Sequence, residues 1–85
     1  MDILISNRAK KQFEALARDI QVIIKEAFID LKEKGLNANL DIRKLSGLPN
    51  CYRIRIGDLR VKMEFEKPDK LNIYWIGKRS KAYNK

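Results

Sequence analysis

The sequence predicts an α+β domain in which two N-terminal helices pack on one face of a small, mainly antiparallel sheet. Three observations predict it. Between Asn7 and Lys34 apolar residues recur at spacings of three and four; between Cys51 and Ile76 they alternate with polar ones; and the two patterns follow each other instead of interleaving. With 85 residues the chain is a single domain spanning 1–85, because two separate cores would each be too small to offset the ordering of their chain.

The elements follow in order. Asp2 to Ser6 (DILIS) predicts a short first strand, after which Ser6 or Asn7 can cap the helix RAKKQFEALAR. Its Ala9, Phe13, Leu16 and Ile20 form one stripe. A second helix carries Ile20, Ile23, Ile24, Ala27, Phe28 and Leu31 and stops at Gly35, a C-cap residue. Asp19 is the expected break, since its carboxylate can cap the second helix; one unbroken helix from Asn7 to Lys34 is the competing expectation. Asn37 to Asn50 is a polar connector whose Gly47 and Pro49 mark turns, with Ile42 and Leu45 touching the core. Three strands follow, Cys51–Ile56, Leu59–Glu66 and Leu71–Ile76, with KPDK (Lys67 to Lys70) as the turn before the last.

Composition narrows the chemistry. Nineteen Lys and Arg against eleven Asp and Glu give a net charge of +8, which suits a polyanionic partner such as nucleic acid, or an acidic protein. No histidine is present, so Ser-His and Cys-His nucleophilic pairs are excluded, and the single Cys51 cannot complete a typical zinc site. Cys51 is expected to be a half-buried strand residue. One cysteine, no apolar run approaching the ~20 residues of a membrane span, and a start unlike a signal peptide predict a cytoplasmic protein with no membrane segment.

The segment CYRIRIGDLRVKMEF concentrates the charge. If Gly57-Asp58 is a two-residue hairpin loop, Ile56 pairs with Leu59, Arg55 with Arg60, Ile54 with Val61 and Arg53 with Lys62. The apolar pairs then face the helices, and Arg53, Arg55, Arg60 and Lys62 project together from the other side. Like charges directly opposite each other cost up to ~1 kcal/mol per pair, so an arrangement chosen for stability alone would avoid them. A cationic surface that gathers a phosphate backbone explains it. The tail GKRSKAYNK adds Lys78, Arg79 and Lys81 to the same cluster, with Tyr83 able to stack on a base.

The run GLPNCYRIRIGDLRVKMEF, followed by a strand and IGKRSKAY, resembles the RelE/ParE toxin superfamily, in particular its RelE branch, and the likeness extends over the helices. The resemblance implies a microbial RNase-like fold and the toxin of a type II toxin–antitoxin system. It further implies a ribosome-dependent endoribonuclease, an mRNA interferase, that cuts mRNA in the A site and so inhibits translation. Its implied partners are a small acidic antitoxin, the ribosome and mRNA. Carried over residue by residue, the implied catalytic set is Arg53, Arg55, Arg60, Arg79 and Tyr83, with Lys62, Lys78 and Lys81 as RNA-binding cations. No cofactor or metal is called for. Several RelE proteins have Lys where this chain has Arg53 and Arg55; Arg, with a pKa above ~12, is a poor general base, so no residue is assigned that role. Two other readings stay open: a ParE-like protein that binds gyrase and cuts nothing, and a relative that retains only antitoxin or nucleic-acid binding.

Overall fold

The computed structural model describes residues 1–82, with side chains to residue 80. Strand β1 (Asp2–Ile5) leads into helix α1 (Asn7–Glu14) and the longer α2 (Arg18–Lys34). A short 3-10 turn (Gly35–Asn37) precedes β2 (Asp41–Lys44), β3 (Cys51–Ile56), β4 (Leu59–Glu66) and β5 (Lys70–Lys78), and α3 (Arg79–Ala82) follows. The strands form one sheet in the order β1-β5-β4-β3-β2, with β1 parallel to β5 and every other pair antiparallel. This is the expected α+β arrangement of two helices on a mainly antiparallel sheet. Among the described residues, no helix is long and apolar enough to cross a membrane.

Helix α1 begins where expected: Ser6 Oγ accepts from the Ala9 N–H at 3.0 Å, satisfying one of the free donors of the first turn. The helices break earlier than expected. The N-cap of α2 is Ala17, which offers no side-chain bond, and Asp19 sits in the first turn, where its charge complements the helix dipole without capping. Gln21 does the capping from the other direction. Its Nε2 reaches back from α2 to the Phe13 and Leu16 carbonyls at 3.1 and 3.2 Å, occupying acceptors at the end of α1. Gly35 closes α2 with φ +60, a conformation that favours glycine.

The core lies between the helices and one sheet face. Ala9, Ile24 and Leu31 pack with Ile54, Val61, Met63, Leu71, Ile73 and Ile76, all essentially inaccessible. Ile23, expected in the apolar stripe, is instead largely exposed at the edge of α2.

The expected polar connector contains a strand. Asp41–Lys44 pairs with β3, aligning Ile42 with Ile54 and packing Ile42 on the core, while the half-buried Leu45 donates its N–H to the Cys51 carbonyl at 2.8 Å. The hairpin has the expected register at all of the pairs from Arg53–Lys62 to Ile56–Leu59, and Gly57 has φ +56, the positive value a tight primed turn needs.

A bulge in β5 re-aims one aromatic residue. Lys62 aligns with Trp75 but Met63 aligns with Ile73, so Tyr74 is the extra residue. Strict alternation would send Trp75 to the core beside Ile73. The bulge turns it to the opposite face, beside the cations, and leaves Ile76 in the core.

Candidate nucleic-acid interface

The sheet face away from the helices carries two cross-strand rows. The first runs Arg43, Arg53, Lys62, Trp75 from β2 to β5, and the second runs Asp41, Arg55, Arg60, Gly77. Directly opposed residues share a face, so five cations converge on these two rows. A third row, Cys51, Glu64 and Asn72, bounds the basic area on the side away from the hairpin turn.

The cations are held in different ways. Arg60 and Lys62 do not stand out from the sheet as strand parity alone suggests; each is only 6% exposed. Glycine at position 77 lets the Trp75 indole lie over the backbone opposite Arg60, where an added Cβ would come within 2.6 Å of the ring. The Lys62 Nζ sits 4.9 Å from the centre of that same ring, in cation–π contact. Arg60 folds back on its own hairpin: Nη1 donates to the Gly57 and Leu59 carbonyls, both at 2.9 Å.

On β3, Arg55 remains well exposed and pairs with Asp41, Nε to Oδ2 at 2.7 Å, while Arg43 approaches the same carboxylate at 3.8 Å. Arg53 is half-buried, and its Nη1 is buried without a hydrogen-bond partner among the described residues. A buried guanidinium donor left open is uncommon in folded proteins and is suited to an incoming acceptor such as a phosphate oxygen.

The tail contributes unevenly. Arg79 is exposed, and its backbone N–H bonds to the Asp58 carbonyl at 2.8 Å, which brings the start of α3 to the hairpin turn. Lys78 does not join the basic rows as expected. It aligns with the core-facing Leu59 and so belongs to the helix side of the sheet, where it lines a hollow of about 460 Å³ with Leu16, Ile20, Ile56 and Leu59. Lys81 lies in α3 with its side chain outside the described set, and Tyr83 lies outside the described residues altogether.

Near the third row, burial pushes the Tyr74 phenol up to about 12, with the neighbouring Cys51 thiol and then the Glu64 carboxylate adding to the shift. Asp41, Arg43 and Trp75 are the residues of this face that the sequence analysis passed over. The polar-apolar alternation of D-I-R-K was the available signal for the first two.

No family model and no curated protein matches the sequence. Solved structures do. A RelB–RelE antitoxin–toxin complex from Methanococcus jannaschii contains a chain superposing with a TM-score of 0.84 at 27% identity, over 95% of each chain. The fold is that of the RelE toxins. The archaeal RelE–RelB complex from Pyrococcus horikoshii OT3 gives 0.79 at 23% identity, covering 92% of this chain and 93% of the other. The isolated RelE toxin of E. coli gives 0.76 at 22%, covering 98% and 90%. The RelE-like fold thus extends over nearly the whole chain, including the strand β2 and the parallel β1–β5 pair that close the two edges of the sheet.

Proposed function

We propose that this RelE-like chain is the toxin of a type II toxin–antitoxin pair, and that it is a ribosome-dependent endoribonuclease acting on mRNA in the A site. The observation that carries the reading is the pairing of cation with cation across the β3–β4 hairpin, Arg53 with Lys62 and Arg55 with Arg60, beside a buried Arg53 donor that has no acceptor among the described residues. Such a face costs stability in the free protein and gains from a bound phosphate.

The chemistry it supports is attack by an RNA 2′-hydroxyl on the adjacent phosphorus. The new P–O2′ bond forms as the P–O5′ bond breaks, the hydroxyl loses its proton, and the departing 5′-oxygen takes one up. Negative charge grows on the non-bridging oxygens. Arg53 and Arg55 orient the phosphate by bidentate contact, and Arg60 and Arg79 stabilise the developing charge; Lys62 and Lys81 add to RNA affinity, and Tyr83 stacks on a base or assists proton transfer. The ribosome supplies substrate geometry, which free RNA lacks. A small acidic antitoxin fits the +8 charge, through steered association that weakens as salt rises. The protein acts in the cytoplasm, where the translating ribosomes are.

One observation favours a second reading, a protein that binds RNA or antitoxin without cutting: Arg60 and Lys62 are nearly inaccessible. Mapping mRNA 5′ ends after induction separates the readings. New ends within translated codons are expected, with amino-acid incorporation falling before thymidine incorporation. The absence of new ends, or an earlier loss of thymidine incorporation as expected of gyrase inhibition, overturns the nuclease assignment.

A further inference from the structure

Three successive carbonyls at the hairpin tip are all taken by two arginines. Gly57 O and Leu59 O accept from Arg60 Nη1, and the intervening Asp58 O accepts from the Arg79 N–H. Arg60 and Arg79 come from different parts of the chain, the start of β4 and the start of α3, and the turn bonds to both. A guanidinium has five N–H groups. The two on Nη1 are committed to the turn, so the turn carbonyls fix where the buried guanidinium sits.

We infer that the Gly57-Asp58 turn is a positioning element that sets the distance and orientation of Arg60 relative to Arg79, and thereby the rate of phosphate cleavage, with little effect on RNA affinity. The inference rests on the nuclease reading above. Two features make the turn suited to the task. It is the shortest loop that closes a hairpin, so its carbonyls have little freedom, and Gly57 holds φ +56, which a β-branched residue resists. A Cβ at Gly57 would meet no atom of the described residues within 4 Å, so the first constraint is the backbone conformation. Misplacement of a positioned group by about 1 Å can cost 10²-fold in rate.

The test compares Gly57→Val with Gly47→Val. Gly47 also has positive φ (+78) and also faces open space, but it lies in the loop between β2 and β3, so it carries the same kind of backbone strain away from the turn. Both variants keep every cation. Gly57→Val is expected to lower kcat for A-site cleavage about 10²-fold while KM and the salt dependence of RNA binding stay at parent values; Gly47→Val is expected to melt lower yet cleave at the parent rate. In 15N-labelled protein the Arg60 Nη protons should exchange slowly in the parent and in Gly47→Val and rapidly in Gly57→Val. Equal loss of kcat in the two variants reduces the turn to a stability element and overturns the inference. So does an active parent whose kcat and Arg60 exchange are indifferent to Gly57→Val. A parent that leaves ribosomal mRNA uncut while its Arg60 protons remain protected defeats the nuclease reading, and the rate-setting role falls with it.

Discussion

Replacing Arg60 with alanine tests both what holds the hairpin tip and what the basic face does. Strand parity alone treats Arg60 as an exposed face residue, whose removal would change stability by only about ±0.5 kcal/mol. The structure changes the expectation. Arg60 is buried and spends one guanidinium nitrogen on two backbone carbonyls. Bonds from a charged donor contribute about 1.5 to 3 kcal/mol each, and relief of the like-charge pair with Arg55 returns at most ~1 kcal/mol. The net cost of Arg60→Ala is then about 2 to 6 kcal/mol. For a domain of this size each kcal/mol moves the melting midpoint by roughly 4 to 8 °C, so a fall of at least about 8 °C is expected. Arg60→Lys keeps the charge but places a single ammonium where the fork reached both carbonyls, and should fall between. Cleavage on ribosomes, measured well below both midpoints so that each variant is folded, should drop ~10² to 10³-fold in Arg60→Ala. Melting within about 2 °C of the parent would refute the account of the turn, and undiminished cleavage would remove Arg60 from the mechanism.

Further outcomes follow from neighbouring contacts. Asp41→Asn removes the carboxylate paired with Arg55, so RNA should bind a few-fold more tightly and with a steeper salt dependence in a filter-binding assay; unchanged binding with lost cleavage would instead implicate Asp41 in proton transfer. Gly77→Ala forces a methyl group into the Trp75 ring, and should displace the indole, seen as altered tryptophan fluorescence with a drop of a few degrees in the midpoint. The Tyr74 phenol is raised in the folded chain, mainly by burial, from its ordinary 10.0 to about 12, so between those values the unfolded chain ionises first and stability should fall as pH rises. Absorbance titration and alkaline melts of the parent and Tyr74→Phe check this, the variant losing less stability across that window.

The hairpin was the most legible part of the chain because its signals agree: a two-residue turn with glycine first, and alternation on both sides, determine the register from Arg53–Lys62 to Ile56–Leu59. The amphipathic run ending at Gly35 was legible for the same reason. Strand β2 was not, since four residues with one apolar member look like a connector until β3 provides a partner. That omission also hid Asp41 and Arg43. The burial of Arg60 and Lys62 was beyond local pattern, because it depends on a bulge that turns Trp75 to their face and on Gly77 leaving room for the ring. Lys78 was misassigned for a related reason. Its basic neighbours suggested one cluster, whereas pleat parity opposite Leu59 sends it to the other side of the sheet. Gln12 is a long-range partner of the same kind: its side-chain oxygen accepts the Ile76 N–H at 2.8 Å, on the stretch of β5 that extends past the end of β1.

The parallel pairing of β1 with β5 has a consequence for timing. Asp2 to Ile5 aligns with Lys70 to Ile73, joining the first of the described strands to the last. During synthesis the helices and the β2–β4 meander can form from local contacts, but β1 has no partner until β5 has been released, and closing so long a loop is slow compared with making a hairpin. Completion of β5 also delivers Trp75 and the backbone of Arg79 to the hairpin. The basic face is therefore completed only once β5 has joined both β4 and β1, however early the hairpin itself forms.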